Sequence, residues 1–499
     1  METDPTRMCA LLVGLPSVVV RGVGEWPSWL RVEVETRWSR PDCAGCGTVA
    51  WDHGQREVLL VDLPVFGRPA RLAWRKQRWR CPNVSCVVVT WSEQDSWQDD
   101  VGEAEVVSAW SQNGGIHLQG FDVLVVGGGI AGVSVSYELS DGQSVCLLEM
   151  EPTLAYHTTG RSAATFLESY GGSIIRRLTL SSRSFFNDPP EGFDGPLMTS
   201  RPLLWLGPTG TGDQIRNLHQ EVSPLVPSVY LVKPDDAVEI HPLLREDFLE
   251  LCMLEPEAME LDVSALHQGY VRGMRRRGGE IHTSSAVVGL SRVDNLWEAT
   301  TRDGQVYAAP VVVNASGAWG DEVAKLAGVA PVGLHPLRRT IFMVNSPDGL
   351  DISQFPLTGD IGATFYMKPE GPQFLCSPAD ETLSAPCDAK VEEIDVARAI
   401  ERIREATILE AEHVRSSWAG LRTFTHDRSP IACFEPTHEG FFWLVGQGGY
   451  GIQTAPALAR VAANLVKGVA MPADLSERGL EADHLHRERL AGLTELTDH

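Results

Sequence analysis

The 499-residue sequence predicts an α/β fold that runs on into a mixed α+β region, with a small β-rich segment in front. Three observations predict this. A strand, glycine turn, helix and second strand occupy Val123 to Glu149. A further strand, glycine loop and helix, FFWLVGQGGYGIQTAPALARVAANL, begins at Phe441. Ahead of both, short stretches such as LRVEVETRW and REVLLVDLP alternate apolar and polar residues with the period of strands.

The bulk properties bound the function. The length allows two or three domains and a large core. A hydrophobic fraction of 43% and a charged fraction of 22% are those of a globular protein. A formal charge of -24 argues against the whole chain binding nucleic acid or anionic membrane non-specifically. Arg31 to Cys81 is the local exception, with ten Lys+Arg against six Asp+Glu. No run approaches the roughly 20 apolar residues of a membrane span. A basic start and a small-residue cleavage site are both missing, so the expected location is cytoplasmic. Cysteines there serve as thiols or metal ligands rather than as disulfides.

Residues 1–101 form the β-rich segment. PDCAGCGTVAWDHGQ and RWRCPNVSC contain Cys43-x2-Cys46 and Cys81-x4-Cys86, with 34 residues between the pairs. Two thiolate pairs on strand-turn knuckles could hold one tetrahedral Zn²⁺, with His53 as a further ligand in reach of the chain; four unrelated thiols is the alternative. Residues 102–119, with Asn-Gly-Gly and no sustained period, read as a linker.

The turn after Val123–Val126 is Gly127-x-Gly129-x-x-Gly132. Gly127 permits the tight turn, Gly129 lets backbone approach a pyrophosphate, and Gly132 lets the helix pack on the strand. The helix N-terminus adds N–H donors and partial positive charge. Glu149 closes the second strand 22 residues after Gly127, where an acid can bond ribose hydroxyls. An acid there disfavours a 2′-phosphate, so the ligand is FAD or NAD. Two later features favour FAD. PVVVNASGAWG is a buried strand ending in a small-residue turn at Gly317. The loop Gln447 to Gly451, with Gly448 and Gly451, aims a second helix N-terminus at the ligand, where it would stabilise reduced flavin. A loop used only for packing is the alternative.

Together VVGGGIAG, YHTTGRSAA, ALHQGYVRGMRRRGG, VVVNASGAW, SWAGLRTF and QGGYGIQT resemble the D-amino-acid oxidase-like superfamily of FAD-dependent oxidoreductases. The resemblance runs from about 121 to 480 and is nearest to the D-arginine dehydrogenases. It implies a glutathione-reductase-type FAD domain (about 120–198, 262–335 and 415–480). Interleaved with it is an antiparallel-sheet substrate domain (about 199–261 and 336–414), and a tail, 481–499, follows. It implies that Arg339 and Arg422 hold a substrate α-carboxylate, a task suited to arginine's planar fork. It also implies that Tyr170 and Tyr366 line the substrate pocket, that Gly449 and Gln453 lie near substrate and flavin, and that Arg161, Ser162 and Ala163 sit against the cofactor. The activity implied is oxidative deamination of a D-amino acid, with glycine or sarcosine oxidase-like chemistry as the alternative. The electron acceptor (quinone, electron carrier or O2) is left open.

Two departures bear on the substrate. The D-arginine enzymes carry a glutamate after SRP that grips the guanidinium; this chain has Leu203. They carry a histidine where this chain has Thr165. A buried cation without a partner costs several kcal/mol, so apolar or aromatic D-amino acids are expected to outperform D-arginine. Glu168 is read either as a replacement acid or as a surface carboxylate.

The front segment, about 9–95, resembles the N-terminal zinc-binding domain of ISL-type insertion-sequence transposases. LLVGLPSVVV, CAGCGTVAWDHGQREVLLVDLPVFGRPARL and RWRCPNVSC carry that resemblance. The nuclease of that family has no room here, and transposition is not expected. A passenger segment is favoured over a working DNA-binding module, because the local charge is modest and the DNA-binding helices are absent.

Overall fold

The computed structural model describes residues 118–496 except 412, 494 and 495. In front of them it describes the strands Val18–Glu25, Leu30–Thr36, Trp51–Val61, Ala70–Arg80 and Thr90–Ser92, and residues 41, 43, 46, 48–50 and 81–83. The chain divides into two units, Met1–Asn113 and Gly114–His499.

The first unit is a five-stranded sheet. Its order is Val18–Glu25, Leu30–Thr36, Ala70–Arg80, Trp51–Val61, with Thr90–Ser92 also paired to Ala70–Arg80. The expected β-rich front is therefore present.

The second unit is centred on a six-stranded sheet in the order Glu280–His282, Val145–Leu148, Val123–Val126, Val311–Asn314, Phe441–Val445, Ile431–Phe434. The first five strands are parallel and the last is antiparallel. Val123–Val126 is a continuous apolar run because both its faces are covered. Val123 and Val125 pack with residues of the helices Ile130–Leu139, Val263–Arg276 and Gly451–Val466. Leu124 and Val126 pack on the opposite side with Trp297, Tyr307 and Val323. Trp297 and Tyr307 belong to a second layer, a four-stranded sheet of Val287–Val293, Leu296–Thr301, Val306–Ala309 and Leu118–Gly120. Leu118 and Gln119, read from sequence as linker, are thus part of this unit, pairing in parallel with Val306 and Tyr307.

A ten-stranded sheet forms the other half. Its order is Tyr230–Val232, Leu249–Glu255, Leu203–Pro208, Leu357–Asp360, Tyr366–Glu370, Gln373–Ser377, His335–Asn345, Val414–Phe424, Gln447–Gly448, with Thr382–Leu383 also on His335–Asn345. Two expectations change here. The sheet is not wholly antiparallel, since Leu203–Pro208 and Leu357–Asp360 run parallel. Val414–Phe424, assigned from sequence to the FAD domain, is the neighbour of His335–Asn345 in this sheet. Its long alternating run fits the wide antiparallel surface rather than the short strands of the parallel sheet.

The tail is built from short turns rather than a regular helix. It makes two 3-10 turns, Ala482–Leu485 and Arg487–Leu490, and buries Leu485 and Leu490. Arg489 pairs with Asp427 at 2.7 Å, and Arg487 pairs with the buried Glu435. Among the described residues no helix is long and apolar enough to cross a membrane.

Candidate active site

A cavity of about 1050 Å³ runs between the parallel sheet and the large sheet. One end is walled by Gly127, Gly129 and Glu149, the other by Leu203, Trp205, Tyr366, Arg339 and Arg422.

At the first end, close approach requires the glycines. A Cβ on Gly132 would lie 1.8 Å from the Gly127 carbonyl oxygen, and Gly127 itself has φ +110°. Gly129 caps the helix Ile130–Leu139 with no side-chain bond of its own, while the Thr159 hydroxyl accepts from the Ile130 N–H at 3.0 Å. Glu149 is buried, and its two oxygens accept from the N–H groups of Gly128 (2.6 Å) and Glu151 (2.8 Å). Burial raises its pKa, and those two backbone donors counter part of the rise. A carboxylate has about four acceptor positions, which leaves capacity for a ribose diol. His267 bonds the Gly128 carbonyl at 3.1 Å and so steadies the turn. Thr159 and His267 were not singled out from sequence, although both lie in the quoted motifs YHTTGRSAA and ALHQGYVRG.

Ser162, Ala163, Gly317, Gly448 and Gly451 all wall the cavity. Gly451 opens the sixteen-residue helix Gly451–Val466, whose N-cap Tyr450 contributes no side-chain bond. Arg161 also borders the cavity, but its guanidinium is held by Asp388 (2.6 Å) and the Ala419 carbonyl (2.9 Å). It fastens the Thr158–Arg161 turn to the large sheet.

At the second end, strand register assembles the cluster. Leu337 lies directly opposite Arg422, and Arg339 opposite Gly420. Directly opposed residues share a sheet face, so Arg339 and Arg422 are diagonal neighbours on the face that meets the cavity. Strand alternation sends the adjacent Arg338 to the other side, where it pairs with Glu392 and Asp395. Arg339 donates to the Asp380 carbonyl (2.9 Å) and to Glu381 (3.2 Å). Glu381 also pairs with Arg428 at 2.7 Å. Glu381 and Arg428, both cavity residues, had no sequence signal because their partners come from distant strands.

Arg422 donates to the Tyr170 hydroxyl at 2.9 Å. Its guanidinium also lies where a Cβ on Gly449 would stand, 1.6 Å from an Arg422 terminal nitrogen, so the loop needs glycine there. Burial opposes ionisation of Tyr170, but Arg422 and Arg339 outweigh it and the pKa moves down. Arg422 moves up: burial works against its charge, and Tyr170 and Tyr450 more than offset that. Burial and the like charge of Arg422 move Arg339 down. Arg339 and Arg428 share Glu381 while Arg422 donates to the Tyr170 hydroxyl, so this cluster holds more guanidinia than carboxylates, which suits an anion.

The remaining wall is apolar. Leu203, Leu167 and Leu357 pack with Tyr170, Trp205 and Tyr366. Gln453 borders the cavity as expected, and its amide is held by the Leu167 N–H (3.1 Å) and by Thr179 (2.8 Å), which fixes the segment leading to Tyr170. Glu168 is neither a surface carboxylate nor part of the cavity wall; it is buried and paired with Arg183 at 2.5 Å.

In the front unit the sulfur atoms of Cys43, Cys46 and Cys81 lie within 4.8 Å of one another. Cys43 and Cys46 share a turn closed by Cys46 N–H to Cys43 carbonyl at 3.3 Å. Sulfurs around one tetrahedral zinc stand about 3.8 Å apart, so the three thiols fit such an ion. Cys86 and the side chain of His53 lie outside the described residues.

A dinucleotide cradle joined to a cationic, apolar-walled chamber defines a flavin-dependent oxidoreductase. Residues 122–465 match the DAO family, FAD dependent oxidoreductase, and the chain belongs to that family. Residues 39–86 match the zinc-finger of transposase IS204/IS1001/IS1096/IS1165. Among similar proteins, FAD-dependent oxidoreductase domain-containing protein 1 of Bos taurus is 26% identical over 397 residues, covering 69% of this chain and 81% of the relative. Glycine oxidase of Geobacillus kaustophilus is 24% identical, covering 71% of this chain and 95% of the relative. The crystal structure of L-proline dehydrogenase from P. horikoshii superposes with a TM-score of 0.64 at 19% identity, covering 73% of this chain and 99% of that one. FAD is the cofactor. Gly127, Gly129, Glu149, Ser162, Ala163, Gly317, Gly448 and Gly451 line the cavity, and the glycine turn, too closely packed to admit a Cβ at Gly127 or Gly132, fits such a group.

Proposed function

We propose that the enzyme oxidises the Cα–N bond of an amino acid with an apolar or aromatic side chain. The observation that carries this reading is the Arg339–Arg422 pair facing a chamber whose far wall is Leu203, Leu357 and Trp205. The two guanidinia bind the substrate carboxylate and thereby aim its Cα–H; a buried carboxylate needs such charged, forked donors. Tyr170 and Tyr366 flank the bound amino acid, and Tyr170 is itself oriented by Arg422. FAD, when bound, supplies the two-electron acceptor for the Cα hydride. The imino acid released hydrolyses in water to a 2-oxo acid and ammonia. Much of the rate comes from orientation in the chamber.

The D-configuration is the finer part of the proposal and rests on the motif resemblance to the D-arginine dehydrogenases. The second reading, glycine or N-methylglycine oxidation, is supported by the likeness to glycine oxidase. Anaerobic bleaching of the bound flavin separates the two. Under the first, D-leucine, D-methionine and D-phenylalanine bleach it with higher kcat/KM than D-arginine, the L-enantiomers, glycine or sarcosine. A higher kcat/KM for D-arginine would remove the Leu203 argument, and preference for glycine or sarcosine would establish the second reading. We read the front unit as a passenger. Equal activity in a chain beginning at Gly114 is expected; zinc-dependent DNA binding with a clear salt slope would overturn that.

A further inference from the structure

One buried carboxylate beside the chamber has no part in the reading above. Glu255, at the end of the strand Leu249–Glu255, is 0% exposed. One oxygen accepts from the Glu168 N–H at 2.7 Å; the other accepts from the Ser169 hydroxyl and, at 3.4 Å, from the Ser169 N–H. Ser169 is the residue before Tyr170 and walls the chamber. Its oxygen in turn accepts from the Trp205 indole N–H at 3.3 Å, and Trp205 walls the same chamber. A carboxylate buried without a cation is expensive, and its persistence beside a cavity marks a functional candidate.

The charged groups around it do not neutralise it. Glu168 is a like charge and is already paired with Arg183 of the helix Ser173–Asn187. Arg176 of the same helix spends its Nε on the Ser169 carbonyl (3.1 Å) and a terminal nitrogen on Glu221 (2.6 Å). The strand Leu203–Pro208 contributes Leu203, opposite Glu255 in register, and Trp205. Tyr170 is turned to Arg422.

We propose that Glu255, acting through the Ser169 hydroxyl, takes the proton that the substrate's amino group must lose before the Cα hydride can leave. The proposal rests on the amine-oxidation reading. An ammonium group has no lone pair to form the C=N bond, so one N–H bond must break first. The amine proton passes to the Ser169 oxygen as the Ser169 proton passes to Glu255. The N–H bond is exchanged for a carboxyl O–H bond, and the electron pair of the departing Cα–H goes to the flavin. The hydroxyl can do this because it donates to the carboxylate while its oxygen, which accepts one bond from Trp205, keeps a second acceptor position. Burial lifts the Glu255 pKa to about 7, against the pull of the Ser169 and Glu168 donors, which suits a base working near neutral pH. Ser169 is the group at the substrate, and Glu255 is the proton store behind it.

The test uses the full-length holoenzyme and its Glu255→Gln, Ser169→Ala and Ser169→Thr variants. Anaerobic stopped-flow reduction is followed from pH 5 to 9 with the best amine substrate. The wild type should show an acid limb in kcat/KM with a midpoint near pH 7. In Glu255→Gln and Ser169→Ala that limb should move or vanish and the limiting reduction rate should fall at least roughly tenfold. KM should stay within a few-fold, because the carboxylate contacts are elsewhere. Ser169→Thr, which keeps the hydroxyl, should recover most of the rate. Infrared difference spectra of the substrate-free wild type should show a protonated carboxyl band that titrates near neutrality and is absent from Glu255→Gln. Unchanged pH profiles in the variants, a uniform KM rise, or a band that does not titrate above pH 5 would each overturn the proposal. If no amine reduces the wild-type flavin, the amine reading fails and the relay with it, even where the infrared band titrates.

Discussion

Replacing Arg422 by methionine removes a charged fork while keeping much of the side-chain volume. In the structure Arg422 donates to Tyr170 at 2.9 Å and lies against the Gly449 backbone; Arg339 is its diagonal neighbour. Truncating one partner of a buried charge contact costs about 2–5 kcal/mol. Under the proposed binding mode Arg339 would still hold the carboxylate, so the lower part of that range applies, about 2–3 kcal/mol. At about 1.36 kcal/mol per tenfold, that is a loss of roughly 30- to 150-fold in kcat/KM. Most of it should fall in KM, because the carboxylate is held in ground state and transition state alike. Tyr170 should also titrate at higher pH, since Arg422 is the first of the cations that hold its pKa down. The assay is anaerobic flavin reduction against substrate concentration, with the flavin-to-protein absorbance ratio read on the same sample. Flavin content should match the wild type, and Arg422→Lys should restore part of the lost affinity. An unchanged KM, or loss of FAD with the affinity intact, would show that Arg422 does not bind the carboxylate.

Three further outcomes are expected. Gly132→Ala places a methyl against the Gly127 carbonyl, so the helix must shift away from the turn; the purified protein should be largely flavin-free, checked by its absorbance at the flavin maximum. The full chain should hold about one zinc per molecule by elemental analysis, and Cys43→Ser or Cys81→Ser should lose it without changing flavin content. His241 is buried against Phe355 and Phe374 with neither ring nitrogen hydrogen-bonded, and burial lowers its pKa to about 4 from an ordinary 6.5. Its folded form resists protonation, so stability is fully present above about pH 6.5 and is lost as pH falls toward 4, by about 3 kcal/mol in total. Melting temperature against pH should flatten across that window in His241→Phe, and an unchanged slope would refute this assignment.

The cofactor end was legible in the sequence because its determinants are local. Gly127, Gly129, Gly132 and Glu149 lie within one strand-helix-strand unit, and their spacing already encodes the turn, the helix approach and an acid that reaches back to the turn. The Gly448–Gly451 loop is legible for the same reason, being one strand and one helix joined. Motif resemblance reached Arg339 and Arg422, yet nothing in LRRT distinguishes Arg339 from Arg338. Strand alternation does, by turning one to the chamber and the other to Glu392 and Asp395.

What only the tertiary structure decided are the contacts between residues far apart in the chain. Glu381 joins Arg339 to Arg428, the Gln453 amide is held by Leu167 and Thr179, and Glu168 is buried on Arg183. Glu255 meets Ser169 across 86 positions of sequence. Side-chain period and glycine spacing are properties of short stretches and survive in one dimension. Burial, and with it the pKa of a carboxylate or the fate of an amide, depends on which strands become neighbours, and that is set only when the sheet closes.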